Sequence, residues 1–238
     1  MTIALYGEDA YLREAAAEVV AHTPEGGLVL DRTVFYPTGG GQPGDSGVVI
    51  WDGRELEIAT TVKGEGDQIV LVPAAPMALP EVGVKLVQHL GWERRHRHMR
   101  VHTALHLLSV VLPLPVTGGQ VGAEKGRLDF LMPEPPENKD AVEDALNELI
   151  DRDLLITESW ITEAELDAQP ELVKTMSVRP PRGKGSIRLV RIGEGPEQVD
   201  LQPCGGTHVA RTSEIGAVRL GKVENKGKQN RRVHMHLG

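Results

Sequence analysis

The sequence predicts an α+β protein in two parts, a small β-barrel or sandwich over residues 1–90 and an α+β domain over residues 91–238. Three observations carry this expectation. Short β-branched-rich runs separated by Gly, Pro and Asp fill the first ninety residues. Two longer runs with apolar residues at helical spacing come next. Further strand-like segments then lie in blocks between and after those helices, instead of alternating with them one by one. At 238 residues the chain has the length to build two cores.

In order, the first part contains "GLVLDRTVFY", "SGVVIWDG", "RELEIATTV", "DQIVLVP" and "GVKLVQHL" as strands, with "VPAAPMALPEVG" as a Pro/Ala-rich connection. "DAYLREAAAEVVAH" fits a helix with a strand after it as well as it fits a strand alone. From residue 92 the pattern changes. "RHMRVHTALHLLSVVLP" carries Val101, Ala104, Leu105, Leu108 and Leu112 at the spacing of one helical face, and Pro113 ends the run. "KDAVEDALNELIDRDLL" repeats this, with Val142, Ala145, Leu146, Leu149 and Ile150 inward and acids outward. "GRLDFLM", "LLITESWI", "SIRLVRIG" and "IGAVRLGKVEN" read as the strands of the second part.

No apolar run approaches the roughly 20 residues that span a bilayer. The N-terminal segment carries acids early and no basic stretch before an apolar one, so it does not read as a signal peptide. A single cysteine forms no internal disulfide, which points to a reducing compartment, with cytoplasm as the default. The net charge of −8 argues against a polyanion partner until its distribution is considered. Residues 134–171 hold thirteen acids and two bases, −11, which leaves +3 for the rest of the chain. Three basic clusters lie in that remainder: "RRHRHMR", "RPPRGKGSIRLVR" and "KVENKGKQNRR". Together they favour a locally bound polyanion over three unrelated solvated faces.

Two constellations carry chemistry. His102 and His106 stand four apart on the predicted helix, which puts both imidazoles on one face. Cys204 and His208 repeat the spacing in "CGGTH", where Gly205 and Gly206 argue for a tight turn instead of a helix. Three imidazoles and a thiolate with no carboxylate point to zinc. Four protein ligands are also what a purely structural zinc takes. Thr103 occupies the position where a zinc metalloprotease helix carries its glutamate, which excludes that mechanism. The second constellation is "FYPTGGGQPGDSG". Its glycines 39, 40, 41, 44 and 47 suggest a backbone nest for an anion, with a plain hairpin or Ω-loop as the other reading. Gln42 and Asp45 are unusual company for a plain turn.

These stretches, with "WERRHRHMRVHTALHLLS", "CGGTHVARTSEIG" and "VENKGKQNRR" in this order, resemble the AlaX-type alanyl-tRNA editing proteins, which are similar to the editing domain of alanyl-tRNA synthetase detached from its enzyme. The resemblance runs over nearly the whole chain and fits the longer, two-domain form. It implies a translation-factor-like β-barrel followed by an α+β editing domain related to those of alanyl- and threonyl-tRNA synthetases. It implies a deacylase holding one Zn2+ per chain on His102, His106, Cys204 and His208. Its partner would be tRNA(Ala) mischarged with serine or glycine, acted on in trans. No stretch is left over for an ATP site, so no aminoacylation is expected. The family's reader of the serine hydroxyl lies on a strand after the histidine helix, where Thr117 and Gln120 are the candidates. Gln42, Asp45 and Thr207 are the other candidate pocket residues, and Arg94, Arg95, Arg97, Lys226 and Lys228 the candidate contacts to RNA phosphates. A non-catalytic RNA-binding module braced by zinc, and a metal-dependent hydrolase of another ester or of a phosphate, are the competing functions.

Overall fold

Alternation of apolar and polar residues decides the first ninety positions. In a computed structural model, described over residues 1–176 and 185–238, they form β1 (Ile3–Ala4), β2 (Glu14–His22), β3 (Leu28–Leu30), β4 (Arg32–Thr33), β5 (Gly47–Trp51), β6 (Arg54–Lys63), β7 (Ile69–Pro73) and β8 (Lys85–Leu90). Six of these close into a barrel in the order β2-β3-β7-β6-β5-β8, with antiparallel neighbours throughout. The ambiguous "EAAAEVVAH" is a strand along its whole length. Its Ala17 and Val19 enter the core while Glu14, Glu18 and Val20 face outward, a period of two that a helix cannot satisfy. Leu28, Leu30, Phe35, Val49, Leu56, Ile58 and Leu71 fill the interior. The chain divides into two units, Met1–Arg97 and His98–Gly238, and the barrel belongs to the first.

The glycine-rich loop is a hairpin with close packing behind it, the second of the two readings that its glycines allow. Gly40 and Gly41 have φ of 57° and 82° between the bridged pair Gly39 and Gln42, a two-residue turn that asks for glycine. The amides of Gly39, Gln42, Gly44 and Asp45 already donate to Gln42 O, Gly39 O, Thr38 Oγ1 and Tyr36 O, so none of them is offered to an anion. At Gly44 a Cβ would stand 2.0 Å from the Thr61 carbonyl oxygen, and at Gly47 2.2 Å from that of His89. Those two glycines are there because strands pass too closely for any side chain.

The expectations for Asp45 and Arg95 are corrected. Both are fully buried within the first unit. Asp45 Oδ2 accepts from Arg95 Nε at 2.9 Å, from its Nη2, and from the Tyr36 amide at 2.6 Å. The guanidinium also donates to Ala10 O and Val34 O, at 2.8 and 2.7 Å. A buried guanidinium committed to a carboxylate and two carbonyls cannot bind an RNA phosphate, and the Oδ2 of its carboxylate partner is taken up by Arg95 and the Tyr36 amide. Gln42 is buried too, its backbone in the hairpin.

The second unit contains most of α1 (Trp92–Val111), followed by β9 (Val116–Val121), β10 (Lys125–Leu131), α2 (Lys139–Asp151), β11 (Ile156–Ile161), α3 (Glu163–Asp167), β12 (Ile187–Ile192), β13 (Asp200–Pro203), β14 (Val218–Asn225) and β15 (Asn230–Leu237). They build a four-stranded sheet, β14-β15-β10-β9, and a three-stranded one, β11-β12-β13. α1 lies against β10, where a Cβ on Gly126 would meet Val101 at 2.6 Å and Leu105 at 2.9 Å. Every residue from Val101 to Ser109 is buried, so α1 is a central helix covered on all sides instead of the one-faced helix its apolar spacing suggested. α2 starts at the Asn138 cap and docks on β14, Asn147 bonding both the amide and the carbonyl of Val218. Among the described residues no helix is long and apolar enough to cross a membrane.

The basic clusters fare unequally. Arg94, Arg97, Lys226 and Lys228 are exposed. Arg231 and Arg232 are absorbed by the hairpin β14–β15 and its neighbour, Arg232 pairing with Asp129. Arg179, Arg182 and Lys184 of the middle cluster lie outside the described residues.

Candidate metal centre

The α1 helix sets His102 and His106 one turn apart, with ring centroids separated by 5.2 Å. The second pair arrives from the end of β13. Cys204 extends that strand's ladder by one bond, its amide donating to Arg188 O at 3.1 Å, and the chain then turns through Gly205 and Gly206 to His208. The His208 ring stands 4.4 Å from that of His102 and 4.5 Å from that of His106. Cys204 Sγ lies 3.6 Å from His102 Nε2 and 3.3 Å from His208 Nε2, and one ligand atom from each of the four residues falls within 4.8 Å of the others. Thiolate and imidazole ligands about 2.3 and 2.0 Å from one tetrahedral ion stand roughly 3.5 Å apart. The spacing of the cluster fits that, and it could hold a metal ion.

Partners outside the four orient them. His106 Nδ1 faces Asp200 Oδ2 at 3.2 Å, and the buried Asp200 is itself held by Gln202 Nε2 at 2.7 Å and Lys174 Nζ at 2.6 Å. His208 Nδ1 meets Thr103 Oγ1 at 3.1 Å, and the same hydroxyl oxygen accepts the Val209 amide. A proton on each Nδ1 satisfies these contacts and leaves both Nε2 atoms turned inward as donors of a lone pair. Arg188 donates to Cys204 O at 3.0 Å and Gly206 O at 2.7 Å while pairing with Glu158, which clamps the turn from outside. Arg188 is therefore no phosphate contact, although it belongs to a basic cluster in sequence.

The electrostatics suit a cation. Burial opposes ionisation of the Cys204 thiol, yet the neighbouring imidazoles of His102 and His208, with hydrogen bonds from His102 and His106, hold it well below its ordinary value. Burial, then the charge of His102, pushes His208 down to about 3, so it stays neutral. Burial works against a charge on His106 as well, but the hydrogen bonds to Asp200 and Cys204 raise it to about 9. A metal ion is the natural replacement for the proton on that imidazole.

Of the other expected pocket residues, Thr207 is buried between Gly206 and His208. Thr117 and Gln120 lie on β9 and bond along the four-stranded sheet: Thr117 Oγ1 to Asp129 O and Asn230 Oδ1, and Gln120 Oε1 from Arg127 Nε. Sequence reasoning missed Asp200, Lys174 and the orienting role of Thr103. The alternation Asp200, Gln202, Cys204 was the available signal, because a period of two puts all three on one face of β13.

Asp200→Ala is expected to weaken metal binding about 10- to 100-fold, the range for loss of a carboxylate behind a ligating histidine. Competition with a chromophoric chelator measures it. An affinity equal to that of the wild type would show that Asp200 does not orient His106.

A family model described as the threonyl and alanyl tRNA synthetase second additional domain matches residues 187–234, and one for tRNA synthetases class II (A) matches residues 9–94. Fold and site thus define a protein of the tRNA-synthetase editing-domain class. The chain is 34% identical over 247 residues to "Alanyl-tRNA editing protein AlaX-M" of Methanosarcina acetivorans, covering 100% of this chain and 99% of that protein. It is 35% identical to the AlaX-M of Saccharolobus solfataricus, over 98% of each chain. Alanine–tRNA ligase of Caldivirga maquilingensis is 36% identical over 92% of this chain, which there spans 25% of the ligase. The chain belongs to the AlaX family of alanyl-tRNA editing proteins.

Proposed function

We propose that the protein is a trans-editing deacylase, hydrolysing Ser-tRNA(Ala) and also Gly-tRNA(Ala) to free amino acid and tRNA(Ala) in the cytoplasm, without ATP. The observation that carries this reading is the convergence of His102, His106, Cys204 and His208 within 4.8 Å in a chain of the AlaX family. On this reading the four residues hold one Zn2+, residues 1–90 are a barrel of the translation-factor kind and residues 91–238 the editing domain.

An aminoacyl ester is already activated, so a held 3′ end and an electrophile near its carbonyl suffice. Bound zinc supplies positive charge that polarises either the ester or a water molecule. Asp200 and Thr103 keep His106 and His208 in the tautomers that ligate, and Arg188 keeps the Cys204–Gly206 turn against them. Serine exceeds alanine by one hydroxyl, and a site that hydrogen-bonds that hydroxyl leaves its own polar group unpaired when alanine is present. Thr117 is the residue we assign to that contact, with Thr207 lining the site; Gln120, opposite Arg127, is on the face of the sheet turned away from α1. Arg94, Arg97, Lys226 and Lys228 are exposed cations suited to backbone phosphates.

Incubation with Ser-tRNA(Ala) is expected to release serine well above the buffer rate, with Ala-tRNA(Ala) spared by at least about a hundredfold. Absence of release by a protein carrying one metal per chain would leave a non-catalytic RNA-binding module in place of the enzyme.

A further inference from the structure

β11, β12 and β13 place three side chains in one row across the sheet. Trp160 on β11 is paired with Arg188 on β12, and Cys204 follows on the other side, its amide bonded to Arg188 O. Directly opposed residues of an antiparallel ladder point to the same face. The face can be identified. Ile187 and Leu189 on β12 are packed with Ile161 and Leu201 into an apolar cluster on one side of the sheet. Arg188 alternates to the other side, where Asp200 and Cys204 reach the histidines. Trp160 therefore stands on the face that bears the candidate metal centre. Its backbone is two strand spacings, about 10 Å, from that of Cys204.

Trp160 is 54% exposed, whereas its row-mate Arg188 is spent on Glu158 and the two loop carbonyls. The other exposed large apolar residues described in this unit, Leu114 and Met176, lie on segments beside β9 and not on this sheet. Among the described residues the feature is thus a lone aromatic plate beside the centre, without the contiguous apolar patch of a protein interface. We propose that Trp160 is a stacking platform for a nucleobase of the single-stranded 3′ end of the bound RNA, one or two nucleotides before the acylated one. Unpaired RNA ends are held by aromatic stacking, which tolerates any base because every base has a π-face. The neighbouring Glu158–Arg188 pair neutralises its own charge and leaves the plate without a repulsive field. This inference rests on the deacylase reading for its substrate.

Stacking supports about 5- to 150-fold in affinity per base. Trp160→Ala is expected to raise KM for Ser-tRNA(Ala) within that range with a far smaller change in kcat, and Trp160→Phe to restore most of the loss. With the seryl ester of a lone terminal nucleoside, which offers no preceding base, Trp160→Ala and wild type should have the same KM. A KM within twofold of wild type on the full tRNA overturns the inference, as does an equal loss on the nucleoside ester. A shift of Trp160→Ala to a smaller species in sedimentation also overturns it, by making Trp160 a contact between copies of this chain. Titration with uncharged tRNA(Ala) separates the two readings. Quenching of tryptophan emission in wild type that is lost in Trp160→Phe supports the platform even where no serine is released.

Discussion

Cys204→Ala is expected to lower zinc affinity by a hundredfold or more and to reduce deacylation in proportion to the metal lost. Four-ligand zinc sets of this type bind with about 10–16 kcal/mol, so an average ligand contributes roughly 3 kcal/mol, somewhat over a hundredfold. The loss should stop short of complete, because His102, His106 and His208 remain and three imidazoles hold zinc in other proteins. Excess zinc should then refill the variant, and its activity at full occupancy separates two roles. Recovery of the wild-type rate would mean that the thiolate only holds the ion. A persistent defect would mean that its charge shapes the reaction. Metal per chain after gel filtration and the rate of serine release are the two measurements. Full zinc retention by Cys204→Ala without added metal would remove Cys204 from the site.

Asp45→Ala is expected to destabilise the protein by about 3–5 kcal/mol, the range for stripping one partner from a buried ion pair. Arg95 has no exposed surface, and its guanidinium would lose the carboxylate that faces two of its nitrogens while staying enclosed. The Tyr36 amide would lose its acceptor in the same step. Asp45→Ala with Arg95→Met should recover part of the loss, since removing both charges removes the desolvation penalty along with the attraction. The midpoint of denaturant unfolding reports both. A single-variant effect below about 1 kcal/mol would show that water reaches Arg95. This outcome also bears on RNA binding, because it separates Arg95 from its exposed neighbours Arg94 and Arg97.

Those three arginines show where a linear reading stops. They sit within four positions and look alike as a basic cluster, yet Arg95 is interior and the other two are not. The difference is made by Asp45, fifty residues earlier, and by the carbonyls of Ala10 and Val34. In the same way "RPPRGKGSIRLVR" reads as polyanion-binding, while its Arg188 is a clamp on the Cys204 turn. β2 was ambiguous for another reason: alanines fill both the helical and the strand pattern, and only the closing of the barrel against β3 and β8 selects period two.

What the sequence determined by itself is local and periodic. One helical turn carries His102 to His106, and the two glycines after Cys204 bend the chain so that His208 returns to it; both spacings are properties of a few consecutive residues. The β-branched strand runs and the helices α1 and α2 were legible for the same reason, whereas β9, β13, β15 and the short α3 were not. Tertiary structure alone decided which polar groups are buried and what faces them. Asp200 comes to His106 across 94 residues, and Trp160 reaches the row of Cys204 through the register of β12. Such pairings depend on strand order and on how far each side chain is removed from water, and neither is written in the spacing of neighbours along the chain.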